Sequence, residues 1–447
     1  MTVHSSRFPT LRWPRVLPAR TVPGRRPASG RLGVLLAGHR GLLTSYAQLL
    51  AGSGGRLALQ VVYFFVLANT LSLAEMGVFA SVSGAGMLIG CFAGFGFQSY
   101  VMRAAAGRRA SLSGYLAAYY LCAVLALPLL FAVAGLVYLV LFRNVIELPA
   151  YLAIMLVEIV LWRQIELLVQ VNNGLGRFAA ASTLVSLPVG FRAVAAVAFW
   201  AGGGGHAETW SLYYLAGNLA AAVALSIAFH PRIRLRHRTA LLKGRLRDGL
   251  LFAFSYLLFT AQTEVDKLVI LTLAGERMAG IYAISMRLID LTGVPLRPIF
   301  MMYSRELIRA RRASWERIRQ CLKLEGTVAL VSTGMLLALL AMLHLRPGIL
   351  GPNVSAAYGM LAAIIAVPAV RNLLEFHGEL FFAFGSMTLR AGLTASFVLL
   401  KALAVALILL AAPGSESWGV WLNAVYLAIY AISFTVVYRL LVRSAAS

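Results

Sequence analysis

The sequence predicts an all-α polytopic membrane protein with about twelve transmembrane helices in two pseudo-symmetric six-helix bundles. Of its 447 residues, 60% are hydrophobic and only 13% are charged, and the mean hydropathy is +0.81. Soluble globular chains carry about 25% charged residues, so this composition excludes the soluble class. The basic residues lie mostly between apolar runs, which is typical of the loops that set the orientation of a membrane protein.

The apolar runs set the number of helices. A bilayer-spanning helix needs about 20 mostly apolar residues, and short polar connections separate twelve such runs in this chain. We place the spans at residues 43–70, 77–98, 114–142, 150–172, 178–200, 209–229, 250–273, 278–302, 326–345, 356–384, 391–411 and 418–438. Because the number is even, both termini are expected on one side of the membrane.

The first 40 residues differ from the rest of the chain. They carry eight arginines, five prolines and no acidic residue. Such a segment cannot bury a hydrophobic core. We expect residues 1–40 to form a basic, disordered cytoplasmic tail that touches anionic lipid headgroups.

The distribution of basic residues predicts the orientation. On one side of the predicted spans the tail and connections hold 29 lysines and arginines, whereas the opposite connections hold three, Arg143, Arg277 and Arg346. Basic loops are retained in the cytoplasm. The sequence therefore predicts a membrane protein with both termini in the cytoplasm.

An internal repeat predicts the two bundles. Gly77 and Gly280 follow similar segments at an offset of 203 residues, and Gly176 and Gly385 do so at an offset of 209. Two anchors at nearly one offset indicate homologous halves, related by an axis along the membrane normal. We expect bundles at residues 41–230 and 248–443, joined by a basic cytoplasmic linker at 231–247.

The short connections restrict the function. Apart from the tail, no predicted loop exceeds about 25 residues, the chain has no phosphate-binding glycine loop, and its three cysteines lack metal-ligand spacing. We therefore expect no catalytic residues, no metal and no cofactor. The net charge of +24 reflects membrane orientation, and no nucleic acid partner is expected.

Fifteen charged residues fall inside the predicted spans. A charge in hydrocarbon costs about 2.5–3.5 kcal/mol on the lenient insertion scale, so such residues normally face a cavity or a partner. One interpretation is that basic residues line a water-filled cavity between the bundles. The candidates for this cavity are Arg56, Arg163, Arg192, Arg287, Arg371 and Lys401.

The alternative is that these charges neutralise one another. The pairs Arg163/Glu166 and Arg287/Asp290 are three residues apart, and Arg371/Glu375 are four apart, so each pair can meet on one helix face. Asp266 and Lys267 are adjacent and face apart, which places their partners on other helices.

Acidic residues in the seventh span are candidates for ion coupling. Glu264 and Asp266 lie deep in the span, and a buried carboxylate can load and release a proton. His377 can titrate near neutral pH, although a satisfied buried histidine is the alternative for this residue.

Several segments resemble a known family of bacterial membrane proteins. They are Leu67–Gly77, Gly94–Gln98, Leu246–Leu250, Glu264–Lys267, Gly280–Ala283 and Arg287–Leu288. In this order the segments resemble the oligosaccharidyl-lipid/polysaccharide flippase branch of the multidrug/oligosaccharidyl-lipid/polysaccharide exporter superfamily, which includes O-antigen and exopolysaccharide translocases. Asn69 stands where that family carries a basic residue.

The resemblance implies a transporter of the bacterial cytoplasmic (inner) membrane that is not an enzyme. Its members flip undecaprenyl-pyrophosphate-linked oligosaccharide to the outer leaflet by alternating access, for assembly of lipopolysaccharide or exopolysaccharide. The expected partners are this lipid-linked substrate, membrane lipids, a polysaccharide polymerase and a chain-length regulator. Guanidinium groups suit the role because they bind phosphate oxygens bidentately.

Two other functions remain open from the sequence. One is an ion-coupled small-molecule or multidrug exporter of the same superfamily, with the same architecture and another cargo. The other is a membrane-embedded polysaccharide polymerase or ligase. That class needs a large outer loop carrying arginines, whereas the predicted outer loops are short.

Overall fold

The computed structural model describes residues 54–107, 109–236, 239–310, 314–384, 387–411 and 418–446, all of which lie in the unit Leu49–Ser447. The predicted basic tail, residues 1–40, lies outside the described residues. These residues are helical except for short connections, and no β-strand occurs among them. The predicted all-α class is confirmed.

The N-terminal half follows the six predicted spans. Its helices are α1 (54–70), α2 (Leu73–Gly90), α3 (Gln98–Ala106), α4 (Arg109–Val137), α5 (Leu148–Leu156), α6 (Trp162–Gly174), α7 (Phe178–Ala201) and α8 (Ala207–Phe229). A 3-10 turn, Ala93–Gly96, connects α2 to α3, and a π-helical turn, Val157–Leu161, connects α5 to α6. A second π-helical turn extends α4 through Tyr138–Phe142.

The C-terminal half repeats the pattern with more interruptions. Its helices are α9 (Thr239–Ala274), α10 (Glu276–Gly293), α11 (Arg297–Ala310), α12 (Trp315–Leu345), α13 (Pro352–Ala356), α14 (Tyr358–Ala363), α15 (Val367–Phe384), α16 (Met387–Ala411) and α17 (Trp418–Ala446). The eighth predicted span is broken between α10 and α11, where the chain reads Val294-Pro295-Leu296. A proline removes a backbone donor and disfavours helix in the residue before it.

Each of the twelve predicted spans is helical over most of its described residues. By length and composition alone, seven described helical segments can cross a membrane: Leu73–Gly90, Ser111–Phe142, Phe178–Ala201, Ala207–Phe229, Trp315–Leu345, Leu389–Ala411 and Trp418–Ala445. Several other spans are divided into shorter helices or carry internal charges, as α9 does at Glu264, Asp266 and Lys267. The chain is a multi-pass membrane protein.

The beginning of α2 is set by local sequence. The Ser72 hydroxyl accepts a hydrogen bond from the Glu75 backbone N–H, and the Glu75 carboxylate accepts one from the Ser72 N–H at 2.8 Å. This reciprocal arrangement satisfies two donors that a helix N-terminus leaves free. The same carboxylate lies 2.8 Å from the imidazole of His206, just before α8, so one acidic residue connects two helices of the N-terminal half.

The two halves meet most closely where α2 crosses α10. Gly77 of α2 packs directly on the backbone of Glu276 and Gly280, and Gly280 packs on the backbone at Leu73. A side chain at either glycine would collide with main-chain atoms that cannot move away without separating the helices. These are the glycines that the internal repeat aligns, so equivalent positions of the two halves lie against each other, as pseudo-twofold symmetry requires.

Asparagines close the same end of the bundle. Asn69 Nδ2 donates a hydrogen bond of 2.8 Å to the Leu350 carbonyl in the other half. Asn353 Nδ2 donates to the carbonyls of Ala68 and Leu71 at the C-terminal end of α1, at 2.8 and 2.6 Å. We call Asn69, Gly77, Gly280, Leu350 and Asn353 the outer seam, because the distribution of basic residues predicts that this end faces outward.

A second close approach lies at the opposite end of α2. The turn between α2 and α3 takes Gly94, Phe95 and Gly96 through positive φ values of 71°, 48° and 74°. This conformation brings the turn against Gly249 near the start of α9, with the Phe95 carbonyl facing it. Glycine is required at 96 for two reasons, since a Cβ would be strained by the backbone angle and would also strike Gly249.

Substitution of Gly280 by alanine tests the close packing of α2 on α10. We expect Gly280→Ala to lower the free energy of unfolding by about 1–3 kcal/mol, because overpacking forces the two backbones apart. The measurement is thermal unfolding of the purified protein in one detergent. Gly326→Ala is the matched control, since an added Cβ there meets open space; equal behaviour of the two variants would contradict the packing described.

Candidate functional site

A cavity of about 560 Å³ lies in the C-terminal half, lined by residues of α9, α10, α15, α16 and α17, with Arg297 of α11 at its edge. The N-terminal half contributes Gln60 of α1. The charged lining residues are Arg287, Asp290, Arg297, Arg371, Glu375, Glu379, Arg390 and Lys401. Five are basic and three are acidic, so the wall has an excess of positive charge.

Two ion pairs join α15 to the helices beside it. Arg371 Nη2 donates to Asp290 of α10 at 2.5 Å, and Arg371 Nη1 lies 3.2 Å from the Met286 sulfur. Arg297 Nε donates to Glu375 at 2.9 Å, where both side chains are more than 40% exposed. The Arg371 pair is held in the interior of the cavity wall, whereas the Arg297 pair lies at its exposed edge.

Lys401 forms a buried pair at the inner wall. Its ammonium group donates to Asp266 of α9 at 3.0 Å, and the two side chains are only 6% and 3% exposed. The same ammonium group contacts the Gln262 carbonyl, and the Tyr282 hydroxyl donates to the Asp266 carboxylate. Asp266 is therefore neutralised inside the protein by a lysine from α16.

Arg287 is the cation most available to a cargo. It is half-buried, lines the cavity, and makes no ion pair or hydrogen bond with another described residue. Arg390 lines the cavity near Gly378, with one guanidinium nitrogen 3.8 Å from the position of an added Cβ there. A guanidinium group at a water-accessible wall can bind an anionic oxygen without breaking an existing pair.

The structure divides the six bases predicted to bind substrate into two groups. Arg287, Arg371 and Lys401 line the cavity. The other three, Arg56, Arg163 and Arg192, are not among its lining residues. A substrate-binding role for these residues stays a prediction in each case.

Arg163 connects the two halves. It pairs with Glu166 at 2.7 Å, as the spacing predicted, and donates to the Met87 carbonyl at 2.7 Å. The Tyr256 hydroxyl of α9 donates to Glu166 at 2.7 Å, and the Arg163 guanidinium lies over the Tyr256 ring. Gly90 leaves the space that this guanidinium occupies.

Arg192 lies within a polar cluster of the N-terminal half. Its guanidinium is 4.8 Å from the Trp162 ring and 5.3 Å from the Tyr214 ring, and Nε donates to Asn218 at 2.8 Å. Glu158, which is 2% exposed, accepts from Tyr214 at 2.6 Å. Two cation–π contacts and one amide thus hold the Arg192 guanidinium in this cluster.

Glu264 has a partner on its own helix. Lys267 Nζ donates to it at 2.6 Å, which differs from the prediction that the partner of Lys267 lies on another helix. The pair faces Gly84 of α2, where an added Cβ would come within 2.9 Å of the carboxylate. The three-residue spacing brings the two side chains to one face of α9.

The predicted pairs within α10 and within α15 do not form in the structure. Asp290 pairs with Arg371 rather than Arg287, and Glu375 pairs with Arg297 rather than Arg371. Spacing along one helix identifies neighbours on its surface, but the packing of α15 against α10 and α11 brings other cations closer.

Part of the cavity wall was missed by sequence reasoning. Glu375, Gly378 and Glu379 follow the predicted cavity residue Arg371 at helical spacing along one face of α15, and all three line the cavity. That polar stripe was readable from the sequence as a lining face. Gln60 carries no comparable signal, because it is a single amide in an apolar span.

No protein-family model matches the sequence, and no curated protein matches it. Solved structures do. The MATE multidrug transporter DinF-BH, solved with a bound ligand, matches with a TM-score of 0.59 and 13% identity, covering 89% of this chain and 95% of that one. An inward-facing multidrug resistance MATE family transporter of the MOP superfamily matches with a TM-score of 0.56 and 16% identity, covering 87% of this chain and 98% of that one.

A third solved structure also matches this chain. It is a MOP superfamily transporter from Pyrococcus furiosus, described as having a binding pocket of reverse polarity that suggests a different function. It matches with a TM-score of 0.55 and 16% identity, covering 88% of this chain and 95% of that one. The chain therefore has the fold of MATE transporters of the MOP superfamily, with two pseudo-symmetric halves.

Removal of Lys401 tests the buried pair. We expect Lys401→Met to lower the free energy of unfolding by about 3–5 kcal/mol, because it leaves the Asp266 charge buried without a cation. The double variant Lys401→Met/Asp266→Asn should recover most of this loss in thermal unfolding. Arg297→Met breaks an exposed pair and should cost about 1 kcal/mol or less; similar losses in the two single variants would count against the burial of the Lys401 pair.

Proposed function

We propose that this protein is a membrane exporter that works by alternating access, with its cargo site in the cavity of the C-terminal half. The observation that carries the proposal is a charged cavity that extends toward the predicted cytoplasmic end while the outer seam is closed. The outer seam is closed by backbone packing and hydrogen bonds between the halves, while the cavity wall extends from Lys401 to Arg390 near the predicted cytoplasmic end. A carrier waiting for an internal cargo needs this arrangement.

The cargo proposed first is a small amphipathic molecule, and its transport is coupled to an ion. The names of the structural relatives support this choice, since two of them are multidrug transporters. The wall supplies the chemistry through aromatic and apolar groups such as Phe259, Phe397 and Tyr426 and an excess of basic residues. We therefore propose a cargo that carries a negative charge, because Arg287 and Arg390 would repel a cation.

Flipping of an undecaprenyl-pyrophosphate-linked oligosaccharide is the second candidate. The specific observation in its favour is the same basic wall, since pyrophosphate is a compact anion that guanidinium groups bind well. The motif resemblance supports it as well. A polymerase or ligase is less well supported, because the connections at the predicted outer end are only a few residues long.

The proposed setting is the bacterial inner membrane, with both termini in the cytoplasm. The cation excess at one end of the predicted spans supports this orientation. For the flippase candidate we propose a polysaccharide polymerase and a chain-length regulator as partners.

Transport into inside-out membrane vesicles separates the cargo classes. Carboxyfluorescein is the anionic probe and ethidium is the cationic probe; export appears as uptake into the vesicles. We expect uptake of the anion to exceed uptake of the cation. The flippase candidate is tested separately by restoration of surface glycan in a flippase-deleted host. Failure of both assays in a correctly inserted protein would reject the exporter proposal.

Linking the outer seam should stop transport. In a variant whose Cys91, Cys122 and Cys321 are replaced by serine, cysteines at 69 and 350 are joined by a cleavable thiol crosslinker. We expect loss of carboxyfluorescein uptake and recovery after reduction, because the outward opening must break the hydrogen bond between Asn69 and Leu350.

A control for this experiment uses positions in one half only. Asn144 and Glu208 line the same groove of the N-terminal half, so crosslinked cysteines at these positions should leave uptake unchanged. Uptake that continues after complete linking of 69 to 350 would contradict opening at the outer seam.

Neutralising Arg287 tests cargo recognition. We expect Arg287→Gln to raise the KM for carboxyfluorescein about tenfold or more, because a hydrogen bond to a charged group contributes about 1.5–3 kcal/mol. Arg346→Gln, at an exposed position of the opposite end, controls for the change in net charge. An unchanged KM in Arg287→Gln would remove this residue from the site.

A further inference from the structure

A hydrogen-bonded cluster of titratable residues lies directly behind the cavity wall. His377 of α15 is fully buried and lies between Glu325 of α12 and Ser433 of α17, which are 5% and 1% exposed. His377 Nε2 is 3.1 Å from Glu325 Oε1, and Nδ1 is 2.8 Å from the Ser433 hydroxyl. Ser433 is also a lining residue of the cavity, so the imidazole is one hydrogen bond away from the cargo site.

The carboxylate of Glu325 is held in its ionised form. Tyr430 and Tyr438 each donate a hydrogen bond to it at 2.6 Å, one to each oxygen. His377 approaches Oε1 as well. Three donated hydrogen bonds stabilise the ionised form of a carboxylate. The group of this cluster that is left to bind a proton is therefore His377.

The geometry allows two protonation states with the same heavy-atom contacts. Because the carboxylate only accepts, Nε2 must carry hydrogen in both states. In the neutral imidazole, Nδ1 accepts from the Ser433 hydroxyl. In the imidazolium, Nδ1 donates to the Ser433 oxygen, and the hydroxyl hydrogen is free to point into the cavity.

A proton can therefore enter without a rearrangement of helices. A hydronium ion in the cavity gives a proton to the Ser433 oxygen, whose own hydrogen passes to Nδ1 of His377. One O–H bond is broken and one N–H bond is formed at the imidazole, while Ser433 remains a neutral hydroxyl. The net charge of His377 and Glu325 together changes from −1 to 0.

Three other acidic residues near the cavity wall have a lysine or arginine as partner. Glu264 pairs with Lys267, Asp266 with Lys401, and Asp290 with Arg371. Among the described residues, the nitrogen within ion-pair distance of Glu325 belongs to His377. Unlike a lysine or an arginine, a histidine can lose its charge near neutral pH. The charge of this cluster can thus change with proton occupancy.

The neighbouring helices present few charges to the pair. Cys321 of α12 lies one turn before Glu325, and Tyr430 of α17 stacks on the imidazole with ring centroids 5.4 Å apart. Tyr438 of α17 and Tyr303 of α11 are the other titratable groups on this side of the C-terminal half.

Two charged cavity residues complete the surroundings of the pair. Arg390 of α16 and Glu379 of α15 face the cavity itself, and neither forms an ion pair with the cluster.

We propose that His377, Glu325 and Ser433 form a proton-binding site that reports its occupancy to the cargo cavity through the direction of the Ser433 hydroxyl. With the proton bound, the wall presents a hydrogen-bond donor and the cluster is neutral. Without it, the hydroxyl turns to His377 and the cluster adds a negative charge behind the wall. An anionic cargo therefore binds better to the protonated state.

The consequence for cargo rests on the proposed export function, but the protonation itself does not. This separation determines the experiment. Full-length protein labelled with ¹³C and ¹⁵N at histidine is placed in lipid nanodiscs and followed by NMR from pH 5 to 9. The His377 signal is identified by its loss in His377→Gln.

We expect one protonation transition of the His377 imidazole between pH 5 and 9. In Glu325→Gln we expect no transition of this imidazole between these pH values. Should His377→Gln fail to fold, Ser433→Ala identifies the signal instead, through the change in its Nδ1 shift. A His377 signal that stays constant from pH 5 to 9 would overturn the proposal, whatever the result of any transport assay.

Transport supplies the second readout. At fixed ion gradients we expect the KM for carboxyfluorescein to depend on pH at least fivefold in the natural sequence and to become independent of pH in Ser433→Ala. Ser285→Ala is the matched control, because Ser285 is buried but bonds to its own helix. If Ser433→Ala retains the full pH dependence, the Ser433 hydroxyl does not link proton binding at His377 to cargo binding, and the proposal is contradicted. If no carboxyfluorescein enters at any pH, the export function fails for this probe while the NMR result still decides the proton site.

Discussion

The backbone contact between α2 and α10 is the constraint on which the rest of the structure depends. Gly77 and Gly280 allow the two helices to touch at equivalent positions of the repeat, which brings the halves close enough for Asn69 and Asn353 to bond across the outer seam. Within a membrane, small residues make such close packing favourable because no hydrophobic effect drives helices together. At the opposite end of α2 the halves meet again at Gly96 and Gly249, and the cavity lies within the C-terminal half.

Charge compensation follows from that packing. Most charges inside the spans acquire a partner from another element: Arg163 meets Tyr256, Asp290 meets Arg371, and Asp266 meets Lys401. A buried ion pair contributes little net stability, but the loss of either partner is costly, so these pairs hold particular helices in particular contacts. Arg287 departs from this pattern and lies on the cavity wall, which is why it is central to the proposed recognition of an anion.

The proposed proton site and the cargo site use different parts of the C-terminal half. Lys401 and Asp266 form a buried ion pair at the inner wall of the cavity. The His377 cluster, by contrast, contains a base whose charge can change, and Ser433 connects it to the cavity. If both proposals hold, α15 carries cargo-binding residues on one face and the proton site on another, so one helix responds to both.

The sequence by itself determined the helical class, the positions of twelve spans and the equivalence of Gly77 and Gly280, because apolar runs and a repeated pattern are properties of the chain alone. It also indicated Arg287, Arg371 and Lys401 as intramembrane cations. Only the tertiary structure decided which carboxylate each cation meets, that Arg192 lies between aromatic rings, and that the cavity lies in the C-terminal half. Spacing along a helix specifies neighbours on one surface, whereas pairing in a bundle depends on how helices cross, and that geometry arises from packing over the whole fold.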